Sequence, residues 1–309
     1  MRLLACLALL VTTAAPAAAQ TNPAHQALGA YAQYQNDVSV LLDAEIDSAD
    51  ALDAALARMA RHDPGAVTRG WIAYNALTAA QSPAFVRGVR SRVSAAGRAP
   101  VIRQLRLDLT YARRRPPGDA EATQLIVAAV EADTARMDLA AARYEAIARD
   151  MDMSAWAIAE ARSARHARLS GPGGSEPLPD AMAARLYIEA GAASPLTDRT
   201  AFGGVSFWDA LAGRAAQPPP ARPARERWLG GADRMRTLAG LIIVGAAQRE
   251  RARVEELLGD RDTQHCLSLQ QLQLRQCAAS ANSSNEDAFC LARHGFAGPA
   301  ACFAALISF

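Results

Sequence analysis

The amino-acid sequence predicts an all-α protein, a multi-helix bundle or helical array that ends in a disulfide-stapled C-terminal helical hairpin. Alanine and arginine, which both favour helices, are abundant, and all 33 residues counted as lysine plus arginine are arginine. Aromatic residues make up 6% of the chain, and the sequence has no long runs of the β-branched residues that favour strands. Apolar residues recur instead at the three- and four-residue steps of a helix.

The first 20 residues have the three parts of a secretory signal peptide. Arg2 supplies the positive start, Leu3 to Val11 form the apolar stretch, and Ala17 to Ala19 give a small-residue cleavage pattern. We therefore expect a mature chain that starts at Gln20 or Thr21. The expected location of that chain is periplasmic or secreted.

Segments rich in proline and glycine divide the rest of the chain into three predicted regions. Residues 24–169 are predicted to be an N-terminal helical domain, and residues 170–223 to hold two linkers around a short helical segment. Residues 224–309 are predicted to be a C-terminal helical region with a cysteine cluster. The apolar run at 238–247 has about half of the roughly 20 residues of a membrane span, so we expect a buried helix and no transmembrane span.

Capping and breaking residues predict the helices of the N-terminal domain. Ser48 is the predicted N-cap of a helix through Arg61, which the sequence His62 to Gly65 stops. The next three helices are predicted to contain Trp71, Tyr74 and Leu77, to run from Ala84 to Ala95, and to run from Pro100 to Tyr111. Asp119 is then the predicted N-cap of a long helix.

The long helix after Asp119 has one apolar face, which predicts packing against neighbouring helices. Its members are Ile126, Val130, Met137, Ala141, Tyr144 and Ala148. In the C-terminal region we predict a helix around residue 242 that continues through an Arg/Glu-rich stretch to near Gly259. Gly240 and Gly245 within it are predicted to serve packing, for which the close approach of another backbone is one form.

Four cysteines, Cys266, Cys277, Cys290 and Cys302, are predicted to form structural disulfides, since an even number in an exported protein indicates a disulfide framework. If Cys266 and Cys277 share a helix, they lie about 16 Å apart, too far to pair with each other. We therefore favour Cys266–Cys302 and Cys277–Cys290, which join the arms of an antiparallel hairpin. The crossed pairing stays open, because Gly295 and Gly298 interrupt the returning arm.

Metal binding by these cysteines, with His265 and His294 nearby, is the less favoured alternative. Zinc ligands usually stand about two to four residues apart, whereas ten or more residues separate these cysteines. A redox role is also disfavoured, because the sequence lacks a Cys-x-x-Cys pair. We therefore expect neither a metal nor another cofactor. A strand over residues 267–274 is a weaker alternative to the helix in the first arm.

Charge is unevenly distributed along the N-terminal domain. Nine arginines and one acid, Asp108, fall between residues 87 and 115, and seven acids with two arginines fall between residues 37 and 63. Arg103, Arg106 and Arg113 are predicted to lie near one helical face and to bind an anionic envelope component, such as a phosphate-bearing glycan or an anionic lipid, or an acidic protein. The favoured alternative is that these arginines form a solvated face or pair with acids within the fold.

The residue types present exclude several enzyme classes. Without lysine there is no Schiff-base lysine, no phosphate-loop lysine and no Ser-x-x-Lys centre. The common hydrolase, zinc-protease, dinucleotide and calcium-loop motifs are also missing from the sequence. A net charge of +2 gives no general signature of nucleic-acid binding.

These observations predict an exported, soluble all-α envelope protein that binds or scaffolds and does not catalyse. The alternative is a cell-envelope glycan hydrolase that uses acidic residues, for which Glu45 and Asp47 are the candidate carboxylate pair. A carboxylate with a raised pKa in a cleft would favour the hydrolase. A groove or an arginine face without such a carboxylate would favour binding.

Overall fold

A computed structural model describes residues 22–151 and 230–305, and every regular element within these ranges is a helix. The predicted all-α class is therefore confirmed. The predicted signal peptide, both predicted linkers and the domain boundaries at 170 and 223 lie outside the described residues. In the described part of the chain, no helix combines the length and the apolarity needed to cross a membrane.

Residues 22–151 form the first run of helices. They are α1 (Pro23–Asp43), α2 (Ala49–Ala60), α3 (Pro64–Ala79), α4 (Pro83–Ala96), α5 (Arg98–Leu107), α6 (Tyr111–Arg114) and α7 (Asp119–Met151). Residues 230–305 form the second run: α8 (Gly230–Ile243), α9 (Arg251–Leu258), α10 (Arg261–Ser280), α11 (Ser284–Cys290), a π-helical segment (Leu291–Ala297) and α12 (Gly298–Ala305). The last three follow each other without a break, so they make one continuous helical arm.

Polar side chains determine where many of these helices begin. Oxygen atoms of five N-cap side chains accept backbone N–H groups of the first turn: Asn22, Ser48, Asp63, Ser82 and Asp260. Ser48 is thereby confirmed as the N-cap of α2. Asp119 is already the first residue of α7 and not its cap, because Gly118, with a φ of +88°, turns the chain immediately before it.

Helix α3 lies at the centre of the described structure. Thirteen of its 16 residues are buried, and it packs against α1, α7, α8, α9 and α10. A Cβ atom added to Gly70 would lie 2.7 Å from the Tyr31 backbone nitrogen, so only glycine permits the contact between α3 and α1. Apolar side chains of both helix runs form one hydrophobic cluster around α3.

Helix α7 contributes its predicted apolar stripe to this cluster. All six predicted members are buried: Ile126, Val130, Met137, Ala141, Tyr144 and Ala148. Two polar residues on the same helix, Asp133 and Arg136, are also buried, and they bond to each other at 2.9 Å. Asp133 accepts a hydrogen bond from Tyr31 at 2.7 Å, and Arg136 donates one to Gln35, so α1 and α7 share a buried polar network.

A second buried carboxylate, Asp37, joins α1 to α2. It accepts hydrogen bonds of 2.8 Å from Arg58, from Arg61 and from the imidazole of His62. Burial by itself raises the pKa of Asp37, but the hydrogen bonds and the charge of these three partners outweigh it and hold the pKa below its ordinary value. The carboxylate therefore contributes most to stability when it is ionised.

Two disulfides hold the C-terminal hairpin, and both follow the predicted pairing. Cys266 pairs with Cys302 across α10 and α12, and Cys277 pairs with Cys290 at the hairpin turn, with Cα–Cα distances of 5.7 and 5.6 Å. Cys266 and Cys277 both lie on α10, as the geometric argument requires. Because all four sulfur atoms are in disulfides, none is available as a thiolate ligand for a metal.

The predicted helix from Pro100 to Tyr111 is wrong in its extent. Helix α5 ends at Leu107 because Asp108 takes an extended conformation. The Asp108 carboxylate accepts hydrogen bonds from the N–H and the hydroxyl of Thr110, at 2.9 and 2.8 Å. This local turn competes with helix formation, and it separates α5 from the short helix α6.

The predicted continuation of the helix around residue 242 to Gly259 is also wrong. Helix α8 ends at Ile243, and Gly245, with a φ of +63°, redirects the chain before α9 begins at Arg251. In the hairpin, by contrast, the expected interruption at Gly295 and Gly298 is absent from the described arm. The chain stays helical there and widens into the π-helical segment.

We expect acid to weaken the fold through Asp37. The pKa of Asp37 is lower in the folded than in the unfolded state. Its contribution to the unfolding free energy is therefore complete above the unfolded-state pKa near 3.9, and it is lost as the pH falls through the folded-state pKa. Asp37→Asn should reduce the unfolding free energy at neutral pH by about 2 kcal/mol and flatten its dependence on pH below about 4. Chemical denaturation at several pH values measures both effects. Asp47→Asn, at an exposed carboxylate in the α1–α2 connection, is the control, and an equal loss in both variants would contradict the role of Asp37.

We expect the two disulfides to contribute unequally to stability. Cys266–Cys302 closes a loop of 36 residues and Cys277–Cys290 a loop of 13 residues. The lost entropy of the unfolded chain then stabilises the fold by about 4 kcal/mol for the first disulfide and about 3 kcal/mol for the second. Double Cys→Ala variants of each pair, unfolded in denaturant under oxidising conditions, measure the two contributions. A larger loss from removing Cys277–Cys290 would show that loop entropy does not control the hairpin.

Candidate functional site

The structure places the three predicted arginines on two helices. Arg103 and Arg106 lie one turn apart on α5 and are both exposed to solvent. Arg113 lies on α6, beyond the break at Asp108, and therefore does not share a helical face with them. The proposed anionic-partner face is thus divided by the same turn that shortens α5.

Arg103 and Arg106 line a pocket of about 250 Å³ between α5 and the α8–α9 connection. Arg249, from that connection, forms part of the opposite wall, and Glu250 lies beside it. Ala99, Ile102 and Ala246 complete the lining. We call this site the arginine pocket.

The two walls of the arginine pocket are tied together by Arg98. Its guanidinium donates hydrogen bonds of 3.0 and 2.8 Å to the carbonyl of Val244 and one of 3.0 Å to the carbonyl of Gly245. These carbonyls follow the C-terminus of α8, where a cation is favoured by the unpaired carbonyls and the helix dipole. Below them, the Leu105 side chain packs directly on Gly240, so this glycine serves packing as predicted, and the group it admits is a side chain and not a second backbone.

Positive charge is in excess at the arginine pocket. Three guanidinium groups face one carboxylate, and the nearest of them, on Arg106, stands 3.9 Å from Glu250 in a loose ion pair. Arg103 and Arg249 have no acidic partner within 4 Å among the described residues. Their planar guanidinium groups are therefore available to oxyanions, which they bind through paired N–H donors.

Arg113 interacts instead with a buried carboxylate inside the fold. Its guanidinium lies 3.6 Å from Asp233, which also pairs with the buried Arg236 on the next turn of α8. Arg236 in turn donates a hydrogen bond to Thr123 on α7. Arg113 therefore helps to compensate a buried charge, which matches the alternative that some of these arginines pair within the fold.

The candidate carboxylate pair for glycan hydrolysis lies in the connection between α1 and α2. Glu45 and Asp47 are both exposed there. Elsewhere, Asp37 and Asp108 have pKa values below the ordinary value: at Asp108 the hydrogen bonds from Thr110 outweigh partial burial, and Arg114 adds to the effect. Within the described ranges, no group of three or more His, Cys, Asp and Glu residues is arranged to hold a metal ion.

Arg249 is a pocket residue that the sequence analysis did not single out. In the continuous helix that the sequence predicts, Arg249 lies mid-helix and has no relation to α5. The one available signal was Gly245, because a glycine that ends a helix and turns the chain brings the residues after it back towards the preceding elements. The exposed position of Arg249 follows from that turn.

Comparisons with known proteins do not identify a relative of this chain: no family model, no curated protein and no solved structure matches it.

We expect the α8–α9 connection to depend on Gly245. An alanine there must adopt a φ of +63°, which costs about 1–2 kcal/mol, although its Cβ would meet only the Arg98 guanidinium at an ordinary 3.5 Å. Thermal or denaturant unfolding of Gly245→Ala measures this loss. Gly259→Ala is the matched control, since Gly259 has a φ of −82° and should accept a side chain without strain. Equal stability of the two variants would contradict this account of the turn.

Proposed function

We propose that the protein is an exported binding module that recognises a phosphate-bearing anionic component of the cell envelope through the arginine pocket. The convergence of Arg103, Arg106 and Arg249 around one cavity carries the proposal. It rests on charge and geometry, and it gives the arginine pocket a role in binding and not in catalysis.

The pocket suits a phosphate group for three reasons. Guanidinium groups bind phosphate oxygens through two parallel N–H donors, which adds geometric selectivity to charge attraction. The volume of about 250 Å³ fits a small charged group and not a whole drug-sized ligand. Arg98 holds the two walls together, so the backbone segments that carry the three arginines are held in place before the ligand arrives.

Export is supported by the amino-terminal signal pattern and by the disulfides. Cys266–Cys302 and Cys277–Cys290 are compatible with an oxidising compartment, because cytosolic proteins rarely keep such bonds. A periplasmic or extracellular protein also meets the anionic glycans and lipids that the arginine pocket would bind. The proposed compartment and the proposed ligand are therefore consistent with each other.

The alternative of a glycan hydrolase has less support. Glu45 and Asp47 lie exposed on the α1–α2 connection, and hydrolysis needs two carboxylates that flank a bound sugar. The lowered pKa values at Asp37 and Asp108 also run opposite to the raised value that a catalytic acid requires.

We expect Arg103→Gln/Arg106→Gln/Arg249→Gln to lower the affinity for phosphate-bearing ligands at least about tenfold, because each lost guanidinium removes a charge-assisted hydrogen bond. Calorimetry with glucose 1-phosphate and flotation with phosphatidylglycerol vesicles distinguish a sugar phosphate from a lipid headgroup as the source of the phosphate. Binding of the unsubstituted protein should weaken as salt is added.

The matched control removes the same charge elsewhere. Arg69→Gln/Arg261→Gln/Arg293→Gln changes three exposed arginines outside the pocket and should retain binding. An equal loss in both triple variants would show a general charge effect, and the absence of binding by the unsubstituted protein to both probes would refute the proposal.

A further inference from the structure

A second and larger cavity, of about 600 Å³, lies between the C-terminal end of α7 and the turn that joins α10 to α11. It shares no residue with the arginine pocket. Its volume falls within the range of roughly 300–1,000 Å³ that is usual for sites of small organic ligands. We call it the hairpin cavity.

One wall of the hairpin cavity is held by covalent and hydrogen bonds. The Cys277–Cys290 disulfide lies in this wall and joins the end of α10 to the end of α11. The Glu286 carboxylate, in the first turn of α11, accepts the backbone N–H of Asn282 on the connection between the two helices. The side chains that project from this hairpin are therefore placed on a rigid support, which reduces the ordering cost of binding.

Three polar side chains on the cavity lining have no hydrogen-bond or ion-pair partner among the described residues. Glu145 and Arg149 lie one turn apart on α7, and Asn282 faces them from the hairpin turn. Together they offer a carboxylate acceptor, a guanidinium donor and an amide that does both. Phe289 also lines the cavity, and 47% of this residue is exposed.

We propose that the hairpin cavity binds a neutral saccharide of one or two sugar rings. A sugar presents an apolar C–H face, which packs on an aromatic ring, and a rim of hydroxyl groups, which both donate and accept hydrogen bonds. Phe289 supplies the ring, and Glu145, Arg149 and Asn282 supply partners for the rim.

Charge distinguishes this ligand from that of the arginine pocket. Two carboxylates, Glu145 and Glu286, and one guanidinium, Arg149, line the hairpin cavity, so it has no excess of positive charge. A polyanion gains little there, whereas the hydroxyl groups of a neutral polyol can form hydrogen bonds with Glu145, Arg149 and Asn282. The inference is independent of the proposed function, and either one can fail without the other.

Titration calorimetry with neutral mono- and disaccharides of glucose, mannose and N-acetylglucosamine tests the proposal. We expect at least one of them to bind, Phe289→Ala to weaken that binding about fivefold or more, and Arg149→Ala to weaken it about tenfold. Phe289→Tyr keeps the ring face and should retain the affinity. Leu272→Ala, which removes an equally exposed apolar side chain from α10 outside the cavity, is the matched control.

Two results would overturn the proposal. One is the absence of binding by every saccharide at concentrations of about 10 mM. The other is saccharide binding that Phe289→Ala and Arg149→Ala leave unchanged, which would place the ligand elsewhere on the protein. Since Arg149 is exposed, its replacement reports on the site even if Phe289→Ala proves unstable. The triple glutamine variant of the arginine pocket should bind the saccharide normally.

Discussion

The backbone contact between α1 and α3 at Gly70 is the constraint on which the rest of the described structure depends. A glycine at this point lets Tyr31 lie directly on α3, and the Tyr31 hydroxyl then reaches Asp133 on α7. The centre of the Tyr31 ring lies 5.6 Å from the ring centre of Phe303 on α12. The Phe303 ring centre in turn lies 5.2 Å from that of Trp71 on α3. One close approach thus positions the long helix, the central helix and the disulfide-bonded arm relative to one another.

Arginine serves two opposite purposes in a protein that has no lysine. Arg136 and Arg236 are buried and pair with aspartates three residues earlier on the same helix, so their charges are used inside the fold. Such pairs are weak evidence for stability, because burying both charges has a large desolvation cost. Arg103 and Arg249 remain at the surface without acidic partners in the described ranges, and their charges are left for a ligand. Arg136 and Arg236 lie on α7 and α8, which both pack against α3, whereas Arg103 and Arg249 are exposed to solvent.

The regular parts of the fold were predictable from sequence, because they depend on local chemistry. Ser48 caps α2 as its side chain requires, and the stripe on α7 follows from helical periodicity alone. The rise of a helix excluded a bond between Cys266 and Cys277, but it left the crossed pairing open beside the favoured one that the structure has. The ends of α5 and α8 were missed because each depends on one competing turn, the Asp108 carboxylate in the first and the positive φ of Gly245 in the second. The same holds for the arginine pocket. Arg103 was predicted from the sequence, whereas Arg249 reaches the pocket only because of the turn at Gly245, which was not predicted.

The helical conformation of α10 has a consequence for how the disulfides form. A chain that emerges amino terminus first presents Cys266 and Cys277 before their final partners, and an oxidant that joined cysteines in order of appearance would link these two. Once α10 is helical, about 16 Å separates them, and that bond is geometrically excluded. A helical α10 therefore opposes this non-native bond, so the residues that build the hairpin also restrict which of its cysteines can pair.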